Sequence, residues 1–457
     1  MGDRIVVRNG FVMTMDPDLG DLPKADVLIE DGTIAAVGPD LGAEDADVIE
    51  AAGSIVMPGF IDSHRHTWET AIRGCAPNAT LDDYFVEVLD TFAPIYSPDD
   101  VYASNYAGAL ECINAGITTL VDWSHINNTP DHPDAGVSGL RDAGIRAQYA
   151  YGSANLSLND YWNQSTIAIP GDDVRRIRDT HFSSDDGLLT MALATRGPGF
   201  TVDDVVTAEW ELARDLDIPV TVHVAMGRLA GRFGMVKQLA DLDLLYEGTT
   251  YIHSCYLSDE EWKLVKDSGG TISIAAQVEM QMGHGWPPTG TCYAHGLRPS
   301  LSIDVVTTVP GDMFTQMRAA FGCERVQVNA VAWKDDVPIP ESTVTARHMV
   351  EMATLNGAHV AQVEDRTGSL TVGKQADVVV IDGTAINTTP LYDPYATVAL
   401  CADVSNVRDV IIGGAVHKRD GRMLADVAAA RTKVQDARDR LVGQVASQQA
   451  WSAVDAR

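Results

Sequence analysis

PGFIDSHRH, residues 58–66, is the stretch on which the fold is read. A Pro-Gly turn releases a short run, FIDSHRH (60–66), that has the length and apolar opening of a buried strand and ends on two histidines. Residues i and i+2 of a strand share a side, so His64 and His66 can both face one interior and grip one metal ion. The spacing by itself is weak evidence. Its place at the end of a strand, straight after a turn, gives it weight. Seven more runs of this kind follow: GITTLVDW (116–123), GIRAQYAY (144–151), LLTMALATR (188–196), PVTVHVA (219–225), TYIHSC (250–255), TISIAA (271–276) and SLSID (300–304). Helical text of period 3.6 lies between several of them, as in DDVYASNYAGALECINAG and VVTAEWELARDLD. Strands alternating with helices make βα units, and eight predict a closed (β/α)8 TIM barrel over 59–365, with its active site at the C-terminal ends of the strands.

On either side the text changes style. Residues 1–58 alternate β-branched runs with turn signals (RIVVRNG, ADVLIEDG, IVMPG), and the pattern returns in 366–425 as GSLTVGKQADVVVIDG and NVRDVIIGGAVHKRDG. Two separated β segments of this kind predict one small composite β-sandwich domain built from both termini, with the barrel inserted between them. Residues 426–457 read as an exposed amphipathic C-terminal helix.

The 457 residues allow one to three domains. Lys+Arg 33 against Asp+Glu 64 gives a net charge of −31, a surface that repels phosphate backbones and anionic lipid, so neither nucleic acid nor membrane is expected as a partner. With 45% hydrophobic and 21% charged residues the chain is globular in composition. MGDRIVVRNG lacks the pattern of a secretory signal, and no apolar stretch reaches the roughly 18 residues of a spanning helix; a cytoplasmic protein is expected. Six scattered cysteines contain no C-x-x-C pair, which predicts buried free thiols rather than disulfides or a thiolate metal site.

Three more candidates fall at equivalent strand ends: His223 in the fifth run, His253 in the sixth and Asp304 in the eighth. Nitrogen with one carboxylate and no thiolate suits zinc, iron(II), manganese or nickel, with zinc the default for hydrolysis. PGFIDSHRH, VTVHVA, YIHSC and SLSID, in this order and closed by GSLTVGKQADVVVID, resemble the amidohydrolase superfamily, in its branch of cytosine deaminase-like and chlorohydrolase-like enzymes. The resemblance covers roughly 1–425. It implies that His64, His66, His223 and Asp304 hold one divalent metal ion, Zn2+ or else Fe2+. It also implies that His253 faces the metal-bound water or the substrate, and that Asp304 takes a proton from that water. Two-metal members need a lysine at the end of the fourth strand. LLTMALATR has none, so a mononuclear site is expected.

One departure matters. Relatives that deaminate carry a glutamate three residues after the fifth-strand histidine, as the acid for the leaving nitrogen, and here that position is Met226. A methionine cannot donate a proton, so the catalytic acid is sought among His125, His253, Glu279 and His284. Arg196 is a candidate clamp for a substrate carboxylate, and Trp68, Met226 and Trp286 are candidates for the pocket wall. The remaining histidines read as structural. The reading is a hydrolase acting on a non-peptide C–N bond of a small molecule. A dehydrating cyclase forming an imidazoline- or oxazole-type ring on the same site is the alternative, and a non-catalytic ligand-binding barrel a third. Relatives are commonly dimers or larger, so a homo-oligomer is expected.

Overall fold

The computed structural model describes residues 4–42, 45–154, 157, 160, 163–227 and 234–455, the side chains of 449–455 excepted. Residues 1–3 of the first β segment and 456–457 of the expected final helix lie outside it. The N-terminal segment forms β1 (Arg4–Val12), β2 (Leu22–Glu30), β3 (Thr33–Gly38), β4 (Asp47–Glu50) and β5 (Ile55–Pro58). The barrel strands are β6 (Phe60–Arg65), β7 (Ile117–Ser124), β8 (Arg146–Tyr151), β9 (Leu189–Thr195), β10 (Val220–Val224), β11 (Thr249–His253), β12 (Thr271–Ile274) and β13 (Ser300–Leu301). After them come β14 (Val378–Ile381), β15 (Val407–Ile412), β16 (Ala415–Arg419) and β17 (Arg422–Met423).

Both ends of the chain enter one nine-stranded sheet in the order β17-β16-β15-β14-β5-β1-β2-β3, with β4 beside β1. The junction is the antiparallel pair β5–β14, where Val379 opposes Met57 and Val380 opposes Val56. β14 is apolar throughout because it serves two cores. Val378 and Val380 pack with Ile5, Val7 and Ile411 inside the small sheet, while Val379 and Ile381 face the larger core shared with the barrel. A strand buried on both faces reads as a continuous apolar run. The sheet also curls back on itself, since a Cβ at Gly32, in the β2–β3 turn, would lie 2.8 Å from the Gly413 carbonyl in the β15–β16 turn. Only glycine fits there.

The eight barrel strands are parallel and hydrogen-bonded in chain order from β6 to β13. Closure between the last and the first is made at the top, where the Asp304 amide donates to the His64 carbonyl (3.0 Å) and the His66 amide to the Asp304 carbonyl (2.9 Å). Ile61, Val121, Ala192 and Ile252 fill the interior below the histidines, and Ala358, Ala361 and Val363 close the opposite end. The barrel is fastened to the small sheet by a buried pair: Arg146 on β8 donates Nε (2.7 Å) and Nη2 (2.9 Å) to the Asp377 carboxylate.

The helical text folds as Pro98–Asn114 and Asp203–Asp215. The first starts at Ser97, whose side chain caps it reciprocally with Asp100. The C-terminal helix, Val427–Asp455, is not simply exposed. Ala430, Ala437 and Leu441 are buried, and Arg440 reaches back to Asp100 (Nε to Oδ1, 2.9 Å), tying it to the start of Pro98–Asn114. All six cysteines are free. Cys112, Cys292 and Cys323 are buried as expected, whereas Cys75 and Cys401 are exposed and Cys255 half-buried: Cys75 and Cys255 sit in connecting segments, and Cys401 ends the π-type turn Thr397–Cys401.

Candidate active site

The strand ends bring the candidate ligands together. His64 ends on β6 and His66 follows it, His223 stands in β10, His253 closes β11, and Asp304 lies just past β13. His253 and Asp304 both adopt left-handed backbone, φ 69° and 70°. For non-glycine residues this costs of order 1–3 kcal/mol and persists only where the surroundings enforce it. Here it turns two side chains inward at the barrel mouth.

His64, His66, His223 and Asp304, all buried, bring one donor atom each to within 4.8 Å of one another. His64 Nε2 lies 3.2 Å from Asp304 Oδ1 and 3.2 Å from His223 Nε2, and His66 Nε2 lies 3.4 Å from the same Asp304 oxygen. His66 donates Nδ1–H to the Trp123 carbonyl at 2.9 Å, which leaves the lone pair of Nε2 facing the cluster. Burial pulls the His64 pKa down to about 4 and that of His223 well below its usual range. Burial pushes Asp304 upward, but its bonds with His64 and His66 outweigh this and hold it well below the usual carboxylate range. Imidazole nitrogens and an ionised carboxylate, with no thiolate, suit the donor set of one divalent ion.

His253 is held from the other side. Its Nδ1 lies 3.2 Å from Glu279 Oε1 and its Nε2 3.7 Å from Asp304 Oδ2. Glu279, in the short helix Ala276–Gln281, accepts the Ala275 amide at 2.8 Å on the same oxygen, while Oε2 is buried without a hydrogen bond. Desolvation raises its pKa well above the ordinary value. His284, 3% exposed, stands edge-on to His253 with ring centroids 4.5 Å apart, and neither of its ring nitrogens has a hydrogen-bond partner. On the opposite wall His125 stands edge-on to His66 at 4.5 Å.

A cavity opens over this cluster, lined by His66, His125, His223, His253, His284 and Asp304 together with Met226. Glu279 is not in its wall and acts on it through His253. Three sequence-based expectations do not lie in the cavity wall. Trp68 is wholly buried behind it, edge-on to Tyr96 and to His125, because the 3-10 turn Thr67–Ile72 that carries it faces the core. Trp286 is 56% exposed. The Arg196 guanidinium is engaged by backbone carbonyls, of Ile167 through Nη2 and of Asp160 through Nη1 at 3.4 Å, and so is directed away from the cavity.

Sequence reasoning missed most of the apolar wall: Leu81, Tyr84, Phe85, Leu89, Met282 and Val305. Residues 81–89 lie in a connection with no motif and nothing in their spacing announces them. Trp123 was findable, since it stands two residues before His125 at the end of β7. Glu69 was missed as well. It lies three residues past His66, is completely buried, and burial raises its pKa to about 7.

The amidohydrolase family profile matches residues 55–416, and the chain belongs to that family. It is 26% identical to the 5'-deoxyadenosine deaminase of Methanosarcina mazei over 452 residues, 97% of this chain and 99% of the relative. It is 28% identical to the 5-methylthioadenosine/S-adenosylhomocysteine deaminase of Halobacterium salinarum, over 94% of this chain and 96% of that one. Two zinc-containing structures share the fold at 23% identity: an adenosine deaminase from Xanthomonas campestris (TM-score 0.80, covering 97% of this chain and 99% of that one) and atrazine chlorohydrolase from Arthrobacter aurescens (TM-score 0.83, 95% and 100%). These relatives are hydrolases, and none lends support to the cyclising alternative.

Proposed function

We propose that this cavity hydrolyses a C–N bond at a ring or amidine carbon of a small heterocycle, with one zinc ion held by His64, His66, His223 and Asp304. The observation that carries the reading is the meeting of those four buried donors at the strand ends of the barrel, under a cavity that three of the four line. Bound there, the ion supplies a nucleophilic water at neutral pH, since coordination lowers the water pKa from 15.7 toward about 7.

The chain's own residues do the rest. Asp304 stays ionised and can accept a proton at Oδ2, the oxygen that faces His253 Nε2. Glu279 fixes the imidazole of His253 through Nδ1, so Nε2 is aimed at Asp304. Burial keeps His253 neutral, its pKa pulled down to about 4, so it can take that proton and pass it on only while a substrate stabilises the charge. His284, with two unsatisfied nitrogens in the same wall, is the group that meets the departing nitrogen. Met226 stands in the wall where an acid would stand in a deaminase and contributes only apolar surface.

Among the described residues no lysine or arginine lines the cavity, and its far wall is apolar. The named activities of the relatives, on adenosine-type rings and on atrazine, support a heteroaromatic substrate. Among the described residues no helix is long and apolar enough to cross a membrane. The same reading has the enzyme act in the cytoplasm as a homodimer or larger oligomer, which size-exclusion chromatography with light scattering checks. The test of function is a panel of amino- and alkylamino-substituted pyrimidines, purines and triazines, followed by ultraviolet absorbance. At least one should turn over, stop with chelator and resume with zinc; chelator-insensitive turnover, or none across the panel, overturns the reading.

A further inference from the structure

The helix Met313–Lys334 buries one face and leaves the other open. Met317, Ala320 and Glu324 are buried, while Gly322, Val326, Ala330 and Trp333 are exposed on the opposite side. Their spacing, i, i+4, i+8 and i+11, puts these four in a single row along the helix. Trp333 is 64% exposed and Val326 49%, and a Cβ added at Gly322 would meet nothing within 4 Å. Past the helix, the exposed segment 337–340 (VPIP) adds Val337 and Ile339. Single apolar residues scattered on a surface need no explanation, but a contiguous row ending on a tryptophan marks a contact face.

The charges around the row point to what covers it. Residues 325–340 carry two positive side chains, Arg325 and Lys334, and two negative ones, Asp335 and Asp336, so this stretch is neutral in a chain of net charge −31. Copies of so acidic a chain repel each other over most of their surface, and least where the local charge is zero. Among the described residues the side chains of Arg325, Asp335 and Asp336 make neither an ion pair nor a hydrogen bond. They also sit at opposite ends of the row. A two-fold axis near Ala330 runs two such helices antiparallel, and it brings Arg325 of each copy against Asp335 and Asp336 of the other. Ala330, small, stands at the crossing and lets the helices approach, while Trp333 of each lies along Val326 of the other. A contact between two identical patches requires this kind of self-complementarity.

We propose that the row of Gly322, Val326, Ala330 and Trp333 is the face through which two copies of this chain pair, with Arg325 of each copy bound to Asp335 and Asp336 of the other. This pairing rests on the homo-oligomer proposed above and locates its contact. It also lies next to the cavity wall. Gln327, on the same helix, donates Nε2–H to the Pro287 carbonyl at 3.2 Å, and Glu324 accepts the Gly290 amide at 2.9 Å. The paired helices therefore hold the segment that follows His284.

The test is the mass of the zinc-loaded full chain across a dilution series, read by size-exclusion chromatography with light scattering. Wild type should run as a dimer or a multiple of one. Trp333→Glu and Val326→Glu, each replacing an exposed side chain, should weaken the pairing about thirtyfold or more, the worth of a buried interface anchor, with zinc content and circular dichroism unchanged. Arg325→Glu alone, and Asp335→Lys with Asp336→Lys, should each weaken it too. An equimolar mixture of those two charge variants should pair more tightly than either does by itself, because each then meets opposite charges. A monomeric wild type overturns both this pairing and the oligomer proposed above. An oligomer whose mass survives both glutamate variants, or a mixture no tighter than its components, overturns this face and leaves the oligomer standing.

Discussion

Glu279 Oε1 lies 3.2 Å from His253 Nδ1, and the other nitrogen of that imidazole lies 3.7 Å from Asp304 Oδ2. A carboxylic group that never reaches the cavity thereby sets the orientation of a histidine that does. Partners of this kind are worth roughly 10–100-fold in activity. Glu279→Ala should lower kcat within that range while the metal stays bound, and Glu279→Gln, which keeps an acceptor, should lower it less. Equal losses in the two variants would point to charge rather than orientation.

The second expectation concerns the metal. Elemental analysis of the purified protein should give about one equivalent of a divalent transition metal. A value near two would defeat the single-ion site. His64→Ala combined with His66→Ala should lose the ion while circular dichroism is unchanged. Zinc at a hundred times its Kd should stabilise the apoprotein by about 2.7 kcal/mol, read as a rise in Tm.

Met226 bears on substrate choice. General acid catalysis is typically worth 10²–10⁴-fold, so cytosine, adenosine and guanine should release negligible ammonia. Robust turnover of any of them would show that the missing carboxylate is no handicap. With a true substrate in hand, single alanine changes at His125, His253, Glu279 and His284 should include at least one that lowers kcat about a hundredfold with metal retained. Four near-native variants would leave Asp304 as the sole proton carrier.

A pH effect should appear far from the cavity, at Glu209. This residue, in Asp203–Asp215, is 1% exposed, accepts only the Ile169 amide (3.1 Å) among hydrogen bonds, and is raised by burial from 4.5 to about 7. Between those values the folded chain keeps a proton that the unfolded chain releases, so stability is complete below about pH 4.5 and falls as pH rises through 7. The full loss is on the order of 3 kcal/mol. Glu209→Gln keeps the acceptor and removes the titration. Its Tm relative to wild type should rise between pH 5 and pH 8, and a constant difference would mean that the carboxyl does not titrate there.

The composite terminal domain, 1–58 with 366–425, makes a prediction of its own. Ending the chain at residue 366 removes β14, the antiparallel partner of β5, and with it Val378, Val380 and Ile411 from the core of the small sheet. An unpaired apolar edge aggregates, so the shortened chain should be insoluble. A soluble, metal-loaded 1–366 would refute the composite domain.

The eight strand runs, the two flanking β segments and the four metal candidates were legible in the residues, because each depends on short-range rules. Alternation sets which side chains share a face, turns punctuate the runs, and equivalent strand ends meet at one mouth of a barrel whatever the loops do. Even so, the left-handed backbone at His253 and Asp304, which aims both side chains, has no signature in composition or period. The apolar wall was decided only by the tertiary structure, since Leu81 to Leu89 reach the cavity because their capped helix docks on Met282, two hundred residues away in the chain. The same holds for Arg196, whose position on a strand end suggested a clamp until the carbonyls of Ile167 and Asp160 were seen to take its donors. Glu69 is the clearest case: its partners Tyr84 and Thr307 lie 15 and 238 positions away, and only folding makes the three one unit. Local periodicity determined the scaffold and the ligands; long-range packing decided what surrounds them, because a loop's contacts depend on every element it happens to meet.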